Sequence, residues 1–232
     1  MAIFALADPH LSFGCAKPMD VFAGWADYVR RIETNWRAAV AQSDTVVLPG
    51  DISWGMSLEE ALPDFAFLHG LPGTKILLKG NHDYWWNTRK KVETLWAAHG
   101  LGSLRLLHNN AFFAEDRALC GSRGWFFDSP EPDAQKVLLR EAGRLRVSIR
   151  EGKRLAGGDM ERLLVFLHYP PIAGGEVCRE IMDVLVQEGA RRCCYGHLHG
   201  YAVRGAFQGV AEGVRFELVS ADALGFSPKR IA

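Results

Sequence analysis

Five short apolar runs punctuate the chain, and each ends abruptly in histidine, aspartate or asparagine. Ala2 to Ala7 leads into Asp8-Pro9-His10, and Thr45 to Leu48 leads into Pro49-Gly50-Asp51. Thr74 to Leu78 runs into Lys79-Gly80-Asn81-His82-Asp83, Leu163 to Leu167 into His168, and Cys193-Cys194-Tyr195 into Gly196-His197-Leu198-His199. Continuous apolar runs this short read as strands buried on both faces. Between them the hydrophobic positions recur at the helical period. Asp20 is placed to cap a helix whose apolar face carries Val21, Trp25, Tyr28, Ile32, Trp36 and Val40, which makes its aromatics packing residues. Ser57 with Glu60 three residues on forms a capping box for a helix over Leu58 to Leu68, with Pro63 expected to bend it. Thr88 caps a further helix with Val92, Leu95 and Trp96 inward, ended by Gly100.

The middle of the chain is richer in strands. Leu104 to Leu107, Ala111 to Ala114 and Ala118 to Gly121 are separated by Asn109-Asn110 and Glu115-Asp116-Arg117, a pattern expected of a meander or hairpin. Asp128 to Asp133, with two prolines, reads as loop. Leu138, Ala142, Leu145 and Ile149 then trace a helical stripe. Opposite it, Lys136, Arg140, Arg144 and Arg150 read as a solvated face, with a rim that attracts anionic substrate as the alternative. Val177, Ile181, Val184 and Leu185 define another amphipathic helix, and Tyr201 to Ala206 and Val214 to Val219 read as strands. Strands alternate with helices early and late, so the expected class is α/β, a mixed sheet or pair of sheets covered by helices.

Composition narrows the possibilities. The 232 residues suffice for one domain spanning 1–232, and no internal repeat or linker divides them. Formal net charge is zero, so no long nucleic acid is expected as partner. The five cysteines, at 15, 120, 178, 193 and 194, form no CxxC pair and are odd in number, which suits core packing in a reducing compartment. No apolar run approaches the roughly eighteen residues a membrane span needs, so no membrane partner is expected and a cytoplasmic location is.

Polar residues just past strand ends gather at one sheet edge, where neighbouring termini leave a crevice. Asp8 and His10 are two apart, as are His197 and His199, so in extended backbone each pair points to one side. The candidate donors are imidazoles, carboxylates and an amide, a mixed N/O set suited to Mn, Fe, Zn or Ni rather than the thiolates of a structural zinc. Seven such residues exceed what one catalytic ion takes from protein. Two divalent ions sharing a carboxylate would account for them, a clamp about 3.5 to 4 Å across that suits phosphoryl displacement.

The series Asp8-x-His10, Gly50-Asp51, Gly80-Asn81-His82-Asp83, His168 and Gly196-His197-x-His199 resembles the full motif set of the calcineurin-like metallophosphoesterases, in the family's order. The resemblance implies a four-layer α/β/β/α sandwich, two mixed β-sheets packed face to face between helices. It also implies that Asp8, His10, Asp51 and His199 hold one metal, that Asp51, Asn81, His168 and His197 hold the other, and that Asp51 bridges. Gly50-Asp51-Ile52-Ser53-Trp54, Trp85-Trp86 and Cys120 to Trp125 are similar to a bacterial subgroup of predicted phosphohydrolases, and Trp54 stands where many relatives carry Asp or Asn.

The reaction expected is hydrolysis of a phosphate ester by a metal-held hydroxide. His82, adjacent to Asn81, is assigned as general acid for the leaving oxygen, with Asp83 expected to orient its ring and keep it protonated. The substrate expected is small and phosphorylated, a phosphodiester or nucleotide. Trp54, Tyr84, Trp85, Trp86 and Trp125 stack on a base in one reading and pack in the core in the other, which is the commoner role of large aromatics. Arg123 is the basic residue nominated near phosphate, against the reading of a surface loop arginine. His69, His99 and His108 fall outside any motif and read as ordinary. A non-enzymatic module on this fold would be expected to have lost ligands, and a metal-storage protein needs no His82-Asp83 pair.

Overall fold

The apolar runs are strands because their side chains alternate between two separate hydrophobic layers. In the computed structural model, which describes residues 1–125 and 134–232, the elements in chain order are β1 (Ile3–Ala5), α1 (Tyr28–Ala39), β2 (Thr45–Pro49), α2 (Leu58–Gly70), β3 (Thr74–Leu78) and α3 (Arg89–Ala98). They continue with β4 (Leu104–Leu106), β5 (Ala111–Ala114), β6 (Arg117–Ser122), α4 (Ala134–Leu155), β7 (Leu163–Leu167), β8 (Ile172–Ala173) and β9 (Glu176–Val177). The last are α5 (Arg179–Gln187), β10 (Arg192–Tyr195), β11 (Gly209–Ala211), β12 (Val214–Leu218) and β13 (Lys229–Arg230). The stretch Asp128 to Asp133 lies outside the described residues.

One sheet runs β13-β1-β2-β3-β4 and the other β11-β12-β10-β7-β6-β5. Each is parallel at its centre and antiparallel at an edge, at β13 in the first and at β5 and β11 in the second. Three apolar clusters make this a four-layer structure. Val46, Leu48 and Leu77 meet Ile32, Trp36, Phe65 and Trp96 of the helices on the first sheet. Val47, Ile76 and Leu78 point the other way, to Leu164, Phe166 and Cys194 of the second sheet. Val165, Leu167 and Tyr195 then meet Leu145, Ile149, Ile181 and Leu185 of α4 and α5. Burial on both faces leaves no polar side to the central strands, hence their uninterrupted hydrophobicity. The sheets are stitched where Ala7 N donates to the Val219 carbonyl at 2.8 Å and Ala221 N to the Ala7 carbonyl at 2.9 Å. Cys120, Cys178, Cys193 and Cys194 are buried and free, and Cys15 is half-buried. Among the described residues no helix is long and apolar enough to cross a membrane.

Three elements differ from the sequence reading, and a fourth agrees with it. The first helix begins at Tyr28 rather than after Asp20, because Gly24 (φ +87°) and Asp27 (φ +54°) take left-handed conformations that interrupt it. Asp20 instead accepts from Asp27 N, and Val21 is 77% exposed. The expected meander is divided: β4 pairs in parallel with β3 in the first sheet, and only β5 and β6 form the hairpin, in the second. Tyr201 to Ala206 is mostly a 3₁₀ segment, Gly200–Gly205, not a strand. Pro63 sits inside α2 as expected, and Ser57 accepts from Glu60 N at its start.

Candidate metal centre

The parallel strands deliver their polar sequels to one edge of the paired sheets. Asp8 and His10 follow β1, Asp51 follows β2, Asn81 and His82 follow β3, His168 follows β7, and His197 and His199 follow β10. Asp8, His10, Asp51 and His197 all have positive φ, at 56°, 45°, 52° and 70°. That conformation costs a side-chain-bearing residue roughly 1 to 2 kcal/mol, so its concentration at these four positions is a functional signature. It also corrects the extended-backbone argument for Asp8 and His10, whose convergence comes from a turned chain.

Close backbone approach explains two of the glycines. A Cβ on Gly80 would lie 2.1 Å from Asp51 Oδ1, and one on Gly50 would lie 2.6 Å from His168 Nδ1 on a backbone already at φ +92°. The strand ends are therefore pressed together until only hydrogen fits between them.

Two groups of donor atoms result, each within 4.8 Å, and they share Asp51: Asp8, His10 and Asp51 in one, Asp51, His168 and His197 in the other. His10 Nε2 is 3.7 Å from Asp51 Oδ2, and His168 Nε2 is 3.6 Å from Asp51 Oδ1. Asn81 Oδ1 sits 2.6 Å from His168 Nε2 and 3.0 Å from His197 Nδ1. The ring of His199 packs edge-on to His10, centroids 5.2 Å apart, outside both groups. His168 Nδ1 faces the Pro49 carbonyl at 3.0 Å, so that nitrogen carries the proton. Its Nε2 lone pair then points at the Asn81 oxygen, an arrangement that fits a cation between them.

The electrostatics are those of carboxylates and imidazoles buried against one another. Burial, then the neighbouring Asp51, pushes the Asp8 carboxyl well above its usual range, and burial raises Asp51 too. Burial holds His168 and His197 down to about 3, and burial followed by the His199 imidazole holds His10 well below its normal value. The rings are thus neutral lone-pair donors. Both nitrogens of His10 and Oδ2 of Asp51 are buried without a hydrogen-bond partner among the described residues. Orphaned buried donors and acceptors are costly, and here they converge, so the residues present fit divalent cations.

Asp83 does not orient His82. Its Oδ1 accepts from Ile52 N (2.8 Å), Ser53 N (3.2 Å) and Trp85 Nε1 (2.9 Å), and its Oδ2 from Asp51 N (2.9 Å) and Gly80 N (2.7 Å). The carboxylate is fully buried and its acceptor sites are occupied by the loop that carries Asp51. Burial and then Asp51 push it up to about 7, while its backbone donors draw it down. Asp83 is therefore a clamp on the Asp51 turn, a role that adjacency in sequence concealed. His82 anchors through its backbone, N donating to Asp51 Oδ1 at 2.8 Å, while its ring lies 5.8 Å from that of His10 and 4.5 Å from that of Trp54. Burial lowers its pKa despite the opposing pull of Asp51, so the ring is not held protonated as the sequence suggested.

Two aromatic side chains brace His10, of which the sequence singled out Trp54 and missed Tyr28. Trp54 stacks on His10 at 5.0 Å and 19°, so it shapes the site by packing. Tyr28 OH donates to the His10 carbonyl at 2.9 Å, tying α1 to the left-handed turn. The other aromatics divide: Trp85 and Trp125 are buried, while Tyr84 is half exposed beside His82.

Two mixed sheets between helices, with buried N/O donors at the ends of parallel strands, define a metallohydrolase class of fold and site. The chain belongs to the calcineurin-like phosphoesterase family, whose model matches residues 1–201. Membership carries metal-dependent phosphoester hydrolysis as its general chemistry. Among solved structures it is similar to phosphopantetheinyl hydrolase (PptH) from Mycobacterium tuberculosis, at 12% identity and TM-score 0.57, covering 99% of this chain and 95% of that one. It is also similar to AQ665 from Aquifex aeolicus, a protein of unknown function (14%, TM-score 0.51, 99% and 95% covered), and to TT1561 of Thermus thermophilus (14%, 0.55, 85% and 81%). No curated protein matches the chain.

Proposed function

We propose that this chain is a binuclear metal-dependent phosphoesterase acting on a small phosphodiester or nucleotide. Asp8, His10, Asp51 and His199 would hold one divalent cation, and Asp51, Asn81, His168 and His197 the other. The observation that carries this reading is the sharing of Asp51 between two donor groups, with both His10 nitrogens and Asp51 Oδ2 orphaned among the described residues. Bound cations supply a Lewis acid for the phosphoryl oxygens and lower the pKa of water toward neutrality. The protein does the rest. Asp83 fixes the Asp51 turn, Pro49 fixes the His168 tautomer, and Trp54 and Tyr28 hold His10 in place. His82, at the rim of the site, gives its proton to the leaving oxygen. An anionic phosphate against the ring supplies the charge that favours imidazolium, which Asp83 does not. A phosphopantetheinyl hydrolase on the same fold is in keeping with a phosphate-ester substrate.

The test is turnover of chromogenic phosphodiesters and phosphomonoesters by metal-stripped protein reloaded with Mn, Fe, Zn, Ni or Mg. Metal-dependent hydrolysis is expected, with Asp51→Asn abolishing it and lowering bound metal by at least one ion per chain. His82→Ala is expected to lose roughly 10²- to 10⁴-fold with poor leaving groups and far less with nitrophenolate. No turnover with any metal despite two bound ions refutes the hydrolase reading.

A further inference from the structure

Beside the metal centre lies a second pocket, of about 250 Å³, lined by Lys79, Arg123, Arg140 and Arg144 together with His108 and Glu141. Four elements build it: Lys79 follows β3, His108 follows β4, Arg123 follows β6, and Arg140, Glu141 and Arg144 lie on α4. Among the described residues four cations thus line the pocket with one carboxylate. Glu141 is buried and paired with Arg144 at 2.5 Å. Among the described residues Lys79, Arg123 and Arg140 make no ion pair with a carboxylate, whereas Arg150 and Arg146, farther along the same helix, pair with Glu188. The polar face of α4 is therefore of two kinds: a solvated stretch paired to Glu188, and a stretch turned into the pocket where Arg144 holds Glu141 and Arg140 pairs with no carboxylate among the described residues.

The pocket adjoins the catalytic edge through covalent neighbours. Lys79 is two residues before Asn81, and the Arg123 carbonyl accepts from His168 N at 3.2 Å and Tyr169 N at 2.9 Å. Arg123 is steadied by the Trp125 ring at 4.6 Å. The volume is below the roughly 300 to 1,000 Å³ of a pocket for a whole small molecule, so it suits one group of a larger ligand. A single carboxylate on the ligand carries less charge than Lys79, Arg123 and Arg140 together offer. A phosphoryl group, with about two charges and three acceptor oxygens that arginine forks bind in pairs, matches.

Resting on the hydrolase reading above, the geometry points to a substrate that carries a second phosphoryl group, seated in the pocket of Lys79, Arg123, Arg140 and Arg144 while the scissile ester meets the metal centre. Nucleoside polyphosphates and bisphosphates are the class this selects. The pocket is made by tertiary contact between α4 and three strand ends, so the zero net charge of the chain conceals it.

The experiment titrates metal-loaded protein calorimetrically with inorganic pyrophosphate, wild type against Arg140→Gln, Arg123→Gln and Asp51→Asn. Arg140 is exposed, so its substitution leaves the fold intact. Each arginine variant is expected to weaken binding about tenfold or more, with a reduced dependence on salt, while Asp51→Asn retains binding. Equal affinity in wild type and both arginine variants overturns the site, as does loss confined to Asp51→Asn, which places the anion on the metals. Pyrophosphate that binds at the arginines without inhibiting turnover of a chromogenic monoester overturns the subsite assignment and leaves a separate anion site. Absence of turnover in every form is the failure of the hydrolase reading itself, and it is separated from the anion site because binding is read by heat.

Discussion

Asp83→Asn is the sharpest probe of the clamp. The two oxygens of Asp83 accept five N–H donors, three on Oδ1 and two on Oδ2. An asparagine keeps one acceptor. Its best placement sets the amide oxygen toward Ile52 N, Ser53 N and Trp85 Nε1, which turns the NH₂ into Asp51 N and Gly80 N. Two buried backbone donors then lose their acceptor, at about 1 to 3 kcal/mol each, and the remaining three bonds lose their ionic character. The sum is roughly 3 to 6 kcal/mol, a large part of the 5 to 15 kcal/mol that ordinarily holds a domain folded. Thermal unfolding followed by circular dichroism should show Tm lower by roughly 6 to 24 °C. Metal content measured on the folded protein should fall as well, because the turn bearing Asp51 is no longer held. A Tm within about 2 °C of wild type, with full metal content and only the pH profile of turnover displaced, would refute the clamp and return Asp83 to His82.

Two other substitutions test the packing around the site. Gly80→Ala places a methyl 2.1 Å from Asp51 Oδ1 and 2.2 Å from Asp51 N, so the strand ends must part; a loss of about 1 to 3 kcal/mol in urea unfolding and a reduced metal content are expected. Wild-type metal affinity in that variant would mean the close approach is immaterial. Asp64, buried and hydrogen-bonded by Ser53 Oγ and Phe13 N, has its carboxyl pushed from 3.8 up to about 6 by burial. Between those values the folded chain holds a proton that the unfolded chain has released, so this group makes stability fall as pH rises through that window, by about 3 kcal/mol at most. Urea midpoints from about pH 4 to 7 should therefore slope less in Asp64→Asn than in wild type, and equal slopes would refute the assignment.

Much of the site was legible because each functional side chain follows an apolar run whose boundaries are local. Thr74 to Leu78 and Leu163 to Leu167 are strands at those bounds, since a segment buried on both faces must be apolar throughout and the first polar residue marks its end. The capping residues Ser57 and Thr88 were legible for the same reason: the hydrogen bond each makes is to a residue three positions on. The helical stripe at Tyr28, Ile32 and Trp36 was clear, but its extension back to Val21 was not real. Periodicity cannot register a left-handed residue such as Asp27, whose backbone is fixed by its surroundings.

What the sequence alone determined was which residues lie at strand ends, and hence an α/β chain with metal-binding chemistry at one edge. Tertiary structure alone decided what those residues touch. It placed β4 and β5 in different sheets, gave Asp83 to the Asp51 turn instead of its neighbour His82, and brought Arg123 and Arg140 to one pocket. The physical reason is the range of the interactions. Burial pattern and capping act within a few residues and leave a trace in spacing, whereas the clamp joins Asp83 to a turn some thirty residues earlier and the cations of the pocket come from three separate segments, joined only when the two sheets close.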